Sequence, residues 1–413
     1  MKLSLIVRRS SLGLALTGFA LASACTSPTR DGWQSYRAGE FTSALAEWTP
    51  AAETGDAEAQ FLVGVLHEEG RGCAADALLA ARWYRLAADQ GHAAAQTNLG
   101  MLYFEGHGVE ASHATAAEWY ARAAQQGFAP AQCNLGVLHL LGFGVEADPE
   151  RARALLTSAA EQSDVKAQAT LGTLHYEGLG GELDHAAAAR WYRAAAEQGD
   201  AGSAYRLGRM LATGDGVSRD DARAADWLRR AAVQGHAHAE FAFGWIHQTG
   251  RGVARDDALA ARWTRRAAEQ GLAIAETNYA LMLFAGRGVA RDDAEAVRWL
   301  RLAAEQGFAL AEHDLGLAYA RGQGVEANDR EAANWLQRAA DQGVAAASTQ
   351  LGALAELGRG VQRDDVAAYV WYELGATLGE PSAAAHRERV AARLAPDELA
   401  RARSLADARA GRR

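Results

Sequence analysis

A glycine recurs every 36 residues through most of the chain, and this spacing restricts the fold more than any other feature. The nine glycines are Gly70, Gly106, Gly142, Gly178, Gly214, Gly250, Gly286, Gly322 and Gly358. A second glycine follows each of them after two residues, and in eight of the nine units a tryptophan follows after thirteen. No insertion or deletion interrupts the register over residues 56–379. A fixed period of this length predicts one array of stacked units rather than several independent globular domains.

Each unit has the pattern of two amphipathic helices, with apolar residues at i, i+3, i+4 and i+7. The Gly-x-Gly loop is expected to end the first helix, because glycine tolerates the left-handed backbone of a helix C-cap. An acidic residue such as Asp148 or Asp184 is then expected to cap the second helix. Tryptophan is expected to fill the volume between neighbouring helix pairs. Because one unit cannot bury its own apolar face, neighbouring units must stack.

The repeated pattern resembles the Sel1-like repeat, a relative of the tetratricopeptide repeat with a longer loop inside its hairpin. The residues that carry the resemblance read Leu-Gly-x-Leu-Tyr-x-x-Gly-x-Gly-Val, then Asp, then Ala-x-x-Trp-Tyr-x-x-Ala-Ala-x-x-Gly. The resemblance implies an all-α fold, a right-handed superhelical α/α solenoid of nine 36-residue helix-loop-helix repeats. We expect these repeats at residues 56–379, an N-terminal half-repeat at residues 33–55 and a C-terminal helical cap at residues 380–413.

The N-terminus has the layout of a secretory signal peptide over residues 1–24. Lys2, Arg8 and Arg9 precede an apolar stretch, and small residues precede Cys25. The segment Leu-Ala-Ser-Ala-Cys also resembles a bacterial lipobox, which predicts lipidation of Cys25 and a tether over residues 25–32. Plain cleavage after Ala24 is the alternative. We therefore expect an exported protein, an outer-membrane lipoprotein facing the periplasm, or otherwise a soluble periplasmic or secreted protein.

No catalytic, cofactor-binding or metal-binding site is expected from the motifs. Ser163 and Lys166 match Ser-x-x-Lys, but the Lys-Thr-Gly motif that accompanies it in penicillin-binding enzymes is absent. His67, His139, His175 and His247 recur in one column of the repeat, where packing is the simpler explanation than a metal site. Cys73 and Cys133 lie almost two units apart, so we expect them to remain unpaired.

Tetratricopeptide-like solenoids present the first helix of each pair to the concave side, which predicts a groove for a partner's helix or extended segment. By this analogy the candidate groove residues are Met101, Phe104, Val137, Leu140, Tyr176, Trp245 and Phe284. Exposed apolar and aromatic patches of this kind mark binding surfaces. The alternative is that these side chains pack against the second helices or the next unit.

The interpretation that these features favour is a non-enzymatic protein–protein interaction scaffold of the bacterial cell envelope, binding one or more proteins. A formal net charge of −9 argues against a nucleic-acid partner, and membrane contact is expected only through a lipid anchor. One alternative is a β-lactamase-like or penicillin-binding enzyme or a cell-wall hydrolase. A second alternative is a peptidoglycan- or glycan-binding module that uses Trp245 and Tyr176 as stacking platforms.

Repeat three departs from the pattern. It has Leu155 in the tryptophan column and Ser163 where the other repeats have the glycine that ends the second helix. We expect the array to open first near residues 155–182.

Overall fold

The computed structural model describes residues 29–411, and all helices and strands assigned within that range are α-helices. The predicted signal peptide, Cys25 and the first residues of the predicted tether lie outside the described residues. The described part of the chain divides into two compact units, one up to residue 219 and one from residue 220 onward, which are described in turn. Within residues 29–411, none of the helices combines the length and the apolar character needed to cross a bilayer.

The first unit begins with a short helix pair and continues with 13-residue helices. Its helices are α1 (Arg30–Arg37), α2 (Phe41–Glu53), α3 (Ala57–Glu69), α4 (Ala77–Asp89), α5 (Ala93–Glu105), α6 (His113–Gln125), α7 (Ala129–Leu141), α8 (Pro149–Glu161), α9 (Val165–Glu177), α10 (His185–Glu197) and α11 (Ala201–Thr213). The pair formed by α1 and α2 occupies the region of the expected half-repeat and takes in the last residues of the expected tether.

The second unit continues the same alternation of helices and ends with two helices outside the repeat. Its helices are α12 (Asp221–Val233), α13 (Ala237–Thr249), α14 (Asp257–Glu269), α15 (Ala273–Ala285), α16 (Asp293–Glu305), α17 (Ala309–Arg321), α18 (Asp329–Asp341), α19 (Ala345–Leu357), α20 (Asp365–Thr377), α21 (Ala383–Ala391) and α22 (Pro396–Ala410). The all-α fold of repeated helix pairs is therefore confirmed, with α21 and α22 in the region expected for the C-terminal cap.

The helix ends follow the chemistry that the repeat pattern predicts. Gly106, which ends α5, has φ 70°, and its N–H donates to the carbonyl of Leu102. At the start of α8, the Asp148 carboxylate accepts a hydrogen bond of 2.9 Å from the N–H of Arg151. Because the same glycine and capping positions recur in each repeat, each helix is fixed at 13 residues by its own flanking sequence.

The interior of each hairpin holds the residue that follows the tryptophan column, which is tyrosine in four repeats and leucine or threonine in the other five. Tyr84, Tyr120 and Tyr192 are almost fully buried, and a Cβ built on Gly64 would lie 2.7 Å from the Tyr84 ring. Trp119 and Trp371 are buried, the other tryptophans of this column are half-buried, and several are covered by an arginine three residues later. The guanidinium carbon of Arg338 lies 4.5 Å from the Trp335 ring centroid. Trp119 and Trp191 pack on clusters that include buried residues of the preceding repeat, as expected for side chains between neighbouring helix pairs.

The second glycine of each loop lies against the preceding repeat. Gly288 has φ 69°, and a Cβ placed on it would lie 1.8 Å from the carbonyl oxygen of Asp257, at the start of α14. Gly252 and Gly324 make the same close approach to Asp221 and Asp293. A side chain at this position would push two repeats apart, so the glycine is needed for the stacking as well as for the turn.

The C-terminal helix α22 packs on the last repeat. Its Arg409 guanidinium lies 3.9 Å from the Trp371 ring centroid and forms an ion pair of 2.8 Å with Asp341 on α18. Trp371 has Leu374 rather than arginine three residues later. Arg409 thus supplies from a separate helix the cation that other repeats place beside their own tryptophan.

Ser163 is the one non-glycine residue with positive φ in the described part of the chain, at 66°. We expect Ser163→Gly to raise the free energy of unfolding by about 1 kcal/mol, because a left-handed backbone strains any residue that has a Cβ. Gly127, with φ 80°, is the equivalent residue of repeat two, and Gly127→Ser should lower stability by a similar amount. Urea unfolding of both variants measures the two changes. A loss of stability in Ser163→Gly would show that the serine side chain contributes more than its backbone costs.

Candidate interaction surface

The residues predicted to line a groove in repeats two to four are largely covered. Val137 is only 3% exposed, so it belongs to the core, and the prediction that it lines an open groove is wrong. Met101 and Leu140 are half-buried. The Phe104 ring stacks on His113 with ring centroids 4.7 Å apart, and the Tyr176 ring stacks on His185 at 4.6 Å. In these two repeats the first residue of the second helix, His113 or His185, therefore covers an aromatic ring of the predicted apolar run.

The second unit carries the open apolar surface instead. Within residues 29–411, every large hydrophobic side chain that is exposed on the first helix of a repeat lies beyond residue 219. These side chains are Trp245 at 40%, Ile274 at 38%, Leu281 at 45%, Leu310 at 55% and Leu357 at 65% exposure. Phe284 is half-buried and packs on the core of repeats seven and eight. Of the predicted groove residues, Trp245 is the one that the structure leaves clearly exposed.

Large apolar side chains, all exposed except the half-buried Leu317, form two bands across α15 and α17, which contact each other. Ile274 and Leu281 lie two helical turns apart on α15, and Leu310 and Leu317 occupy the equivalent positions on α17. Seven residues of helix separate the bands by about 10 Å. We call this surface, defined by Trp245, Ile274, Leu281, Leu310 and Leu317, the first-helix face.

A polar row lies between the two bands. Asn278 follows Ile274 by one turn, and its amide nitrogen donates to the Ile274 carbonyl oxygen at 2.7 Å. Asp314 holds the equivalent position on α17, and one carboxylate oxygen lies 2.9 Å from Nδ1 of His313. The carbonyl oxygen of Asn278 and the second carboxylate oxygen of Asp314 remain available as hydrogen-bond acceptors.

Arginines mark the edge of the first-helix face near the loops. The Arg251 guanidinium lies 5.3 Å from the Trp245 ring centroid and pairs with Asp221 at 3.2 Å. Arg321 is exposed one turn beyond Leu317 and makes no ion pair with any residue in the range 29–411. Because Arg251 covers one face of Trp245 and His185 covers Tyr176, neither aromatic ring offers two free faces for stacking a sugar.

Comparison with known proteins identifies the repeat. The family described as Sel1 repeat matches nine consecutive segments, residues 57–92, 93–128, 129–164, 165–200, 201–236, 237–272, 273–308, 309–344 and 345–380. The chain belongs to the Sel1-repeat family. Sel1-repeat proteins are commonly helical scaffolds that mediate protein–protein interactions.

Two solved structures support this assignment. The protein c5321, described as a protective antigen present in uropathogenic Escherichia coli strains and displaying an SLR fold, is 31% identical, with a TM-score of 0.82. That similarity covers 92% of this chain and 83% of the other. A Sel1 repeat protein from Oxalobacter formigenes is 34% identical over 75% of this chain and 89% of its own, with a TM-score of 0.58. No curated protein matches the sequence.

Sequence reasoning missed a ladder of buried amide pairs, one within each of several successive Sel1 repeats. In the first unit, the amide nitrogen of a glutamine ending one second helix donates to a buried glutamine of the preceding first helix. The pairs are Gln90–Gln60, Gln126–Gln96, Gln162–Gln132 and Gln198–Gln168, at 2.8 to 2.9 Å. In the second unit glutamate takes the acceptor position, in the pairs Gln270–Glu240, Gln306–Glu276 and Gln342–Glu312. The 36-residue recurrence of these residues is the signal that could have revealed the ladder.

One of the three buried glutamates lacks a cation. Glu240 pairs with Arg266 at 2.8 Å and Glu312 with Arg338 at 2.7 Å, but the position equivalent to these arginines beside Glu276 holds Leu302. Glu276 is 3% exposed, and burial raises the pKa of its carboxyl group. A neutral glutamine amide alone faces this carboxylate, so its charged form is poorly stabilised.

We expect Leu302→Arg to raise the free energy of unfolding by about 1 kcal/mol at neutral pH, because it supplies the missing partner for Glu276 and a cation beside Trp299. Leu302 is 47% exposed, so its replacement opens no cavity. Leu86 holds the same repeat position and is 48% exposed, but its acceptor is the neutral Gln60. Leu86→Arg is thus the matched control. Equal effects of the two substitutions in urea unfolding would contradict a role for the ion pair.

His67, His139 and Cys73 contact their own hairpins. Nδ1 of His139 lies 3.3 Å from the Glu146 carbonyl oxygen, across the loop that follows its helix. Burial lowers the pKa of His67, whose Nδ1 lies 3.4 Å from the Cys73 sulfur, and raises the pKa of the Cys73 thiol. Cys73 and Cys133 are both free thiols. Within residues 29–411, no three His, Cys, Asp or Glu side chains converge to hold a metal ion.

Proposed function

We propose that this Sel1-repeat protein is a non-enzymatic scaffold that binds partner proteins on the first-helix face of repeats six to eight. The observation that carries the proposal is the exposure of Trp245, Ile274, Leu281 and Leu310 on consecutive first helices. Leaving four large apolar side chains in water on one surface is unfavourable, and burying each against a partner contributes about 1 to 2 kcal/mol. A surface of this kind is characteristic of protein interaction sites.

Electrostatics support a protein partner over an anionic polymer. The formal net charge of the chain is −9, which disfavours nucleic acid. The first-helix face itself carries little charge, with Asp314 and Arg321 at its centre and edge. Association would therefore depend on apolar contact with a small number of polar anchors, which is typical of the central part of a protein interface.

We also propose that the protein is exported and tethered by a lipid at Cys25, as an outer-membrane lipoprotein. The signal-peptide and lipobox pattern supports this location, and an exported protein agrees with the description of the Escherichia coli relative as a protective antigen. Cys25→Ala should abolish incorporation of labelled fatty acid and release the protein into the soluble fraction. Unchanged membrane association of this variant would contradict the lipid tether.

The interaction proposal is tested by affinity capture from the cells that make the protein. Leu281→Asp combined with Leu310→Asp places two charges on the first-helix face without removing core side chains, and should reduce capture of each specific partner at least tenfold. Leu86→Asp combined with Leu183→Asp is the control, because these leucines are 48% and 61% exposed and are not on a first helix. Equal capture by wild type and the Leu281/Leu310 variant would contradict the proposal.

A further inference from the structure

The polar row between the apolar bands presents hydrogen-bond acceptors and requires donors from whatever covers it. The amide nitrogen of Asn278 donates one of its two hydrogens to the Ile274 carbonyl, and its side-chain oxygen is available as an acceptor. Asp314 as a carboxylate has acceptors alone, one of them occupied by His313. A partner that buried these oxygens without donating to them would lose much of the free energy gained from the apolar bands.

The need for hydrogen-bond donors distinguishes a helical partner from an extended one. An α-helix lying on the face uses its backbone N–H groups internally, so it could donate to the polar row only through its side chains. An extended segment in the polyproline-II conformation makes no internal hydrogen bonds, and all its backbone N–H groups that are not proline remain available.

The spacing of the polar row fits the same conformation. Asn278 and Asp314 lie at equivalent positions on α15 and α17, and helices in contact have axes about 8 to 10 Å apart. Polyproline II has three residues per turn and rises about 3.1 Å per residue, so N–H groups three residues apart lie on one side about 9 Å from each other. The two residues between them project their side chains to either side, toward the bands of Ile274 and Leu310 and of Leu281 and Leu317.

The partner must also match the charge at the edge of the first-helix face. Arg321 is exposed beyond the second band and has no ion pair within the described residues, although the chain as a whole is acidic. A carboxylate on the partner at this edge would complete the charge pairing.

We infer that the first-helix face binds an extended, polyproline-II-like peptide segment with apolar side chains and a carboxylate. Backbone N–H groups three residues apart donate to Asn278 and Asp314, and the carboxylate pairs with Arg321. This inference rests on the proposed function and names the class of partner that the same surface accepts.

The test uses the full chain and a fluorescent probe peptide, three Ala-Leu-Pro triplets followed by Asp, measured by fluorescence anisotropy. The alanines supply the N–H groups that should face the polar row, since proline has none. We expect Asn278→Ala combined with Asp314→Ala to weaken binding of this probe about tenfold, through the loss of two hydrogen bonds. N-methylation of the alanine nitrogens should weaken binding to wild type by the same factor and have little further effect on the double variant.

Two controls make the readout specific. Asn134 holds the position of Asn278 four repeats earlier, so Asn134→Ala should leave binding unchanged. Arg321→Ala should weaken binding of the probe that ends in Asp and have no effect on a probe with Asn and an amidated end in its place.

Other outcomes overturn the inference in distinguishable ways. Equal binding of the N-methylated probe, or tighter binding of an amphipathic helical peptide of similar length, would show that the occupant is not extended. If the probe fails to bind while Leu281→Asp with Leu310→Asp still abolishes protein capture, the inference fails and the proposed function stands. If that substitution pair also leaves capture unchanged, both fail.

Discussion

Replacing Gly288 with alanine should lower the free energy of unfolding by about 4 kcal/mol. The new Cβ would lie 1.8 Å from the Asp257 carbonyl oxygen, well inside van der Waals contact, and the neighbouring atom is backbone that cannot rotate away. The residue also has φ 69°, which strains any amino acid with a Cβ. Relief requires moving repeat seven relative to repeat six, so the damage spreads beyond the loop.

Gly271 supplies the matched control for Gly288. It has φ 80°, but a Cβ built on it would have no heavy atom within 4 Å. Gly271→Ala should therefore cost about 1 kcal/mol from backbone strain alone. Urea unfolding followed by circular dichroism measures both variants. If the two alanine variants were equally stable, the close approach between repeats would not be a determinant of the stacking.

The second large effect is a pair of opposite pH dependences, at the half-buried Glu356 and the buried Glu276. Burial raises the pKa of Glu356, but hydrogen bonds from Arg389, Tyr372 and Arg393 outweigh it and lower the value from 4.5 to about 2. A carboxyl group whose pKa is lower in the folded state adds stability above its unfolded pKa, and this is lost as the pH falls toward 2. Because Arg389 is 51% exposed and Arg393 is 38% exposed, we reduce the expected contribution to about 2 kcal/mol.

Glu276 should show the reverse dependence. Burial raises its pKa, so the folded state holds the proton more tightly than the unfolded state does. Stability from this group therefore falls as the pH rises above about 4.3, the ordinary value for glutamate, through the raised value. Glutamine occupies the same position in the first four repeats, as in Gln96 and Gln168.

The two glutamine substitutions should consequently act in opposite directions. At pH 7, Glu356→Gln should lower the free energy of unfolding by about 2 kcal/mol, and Glu276→Gln should raise it by about 1 kcal/mol. Below pH 3 the effect of Glu276→Gln should vanish, because both states then carry the proton. Urea unfolding of each variant at pH 7 and at low pH measures these differences. Effects of the same sign at pH 7 would refute the assignment of opposite pKa shifts.

The hairpins could be predicted because their determinants are local. A glycine C-cap, an aspartate N-cap and apolar residues at i, i+3, i+4 and i+7 all lie within one repeat. The reason for the second loop glycine could not be derived in this way. Gly288 is required by a carbonyl 31 residues earlier, in another repeat, and that contact exists only after the repeats have stacked.

The binding surface was harder to locate for the same reason. Phe104 and Leu281 are both large apolar residues on first helices. The sequence alone does not show which of them is exposed for binding. The structure separates them because His113 stacks on Phe104, while Leu281 remains 45% exposed. Val137 occupies the same repeat position as Leu281 and is nonetheless buried. Exposure at this position depends on the size and placement of side chains from neighbouring helices, which periodicity does not reveal.

We propose that partner proteins contact the first-helix face of the second unit. The most direct measurement places a photocrosslinking amino acid at Leu281 in the full-length protein and identifies the crosslinked proteins after irradiation in the cells that make it. Leu86 is the matched position, an equally exposed leucine on a second helix. We predict that position 281 captures a small set of proteins that position 86 does not. The same proteins at both positions, or none at 281, would contradict the claim.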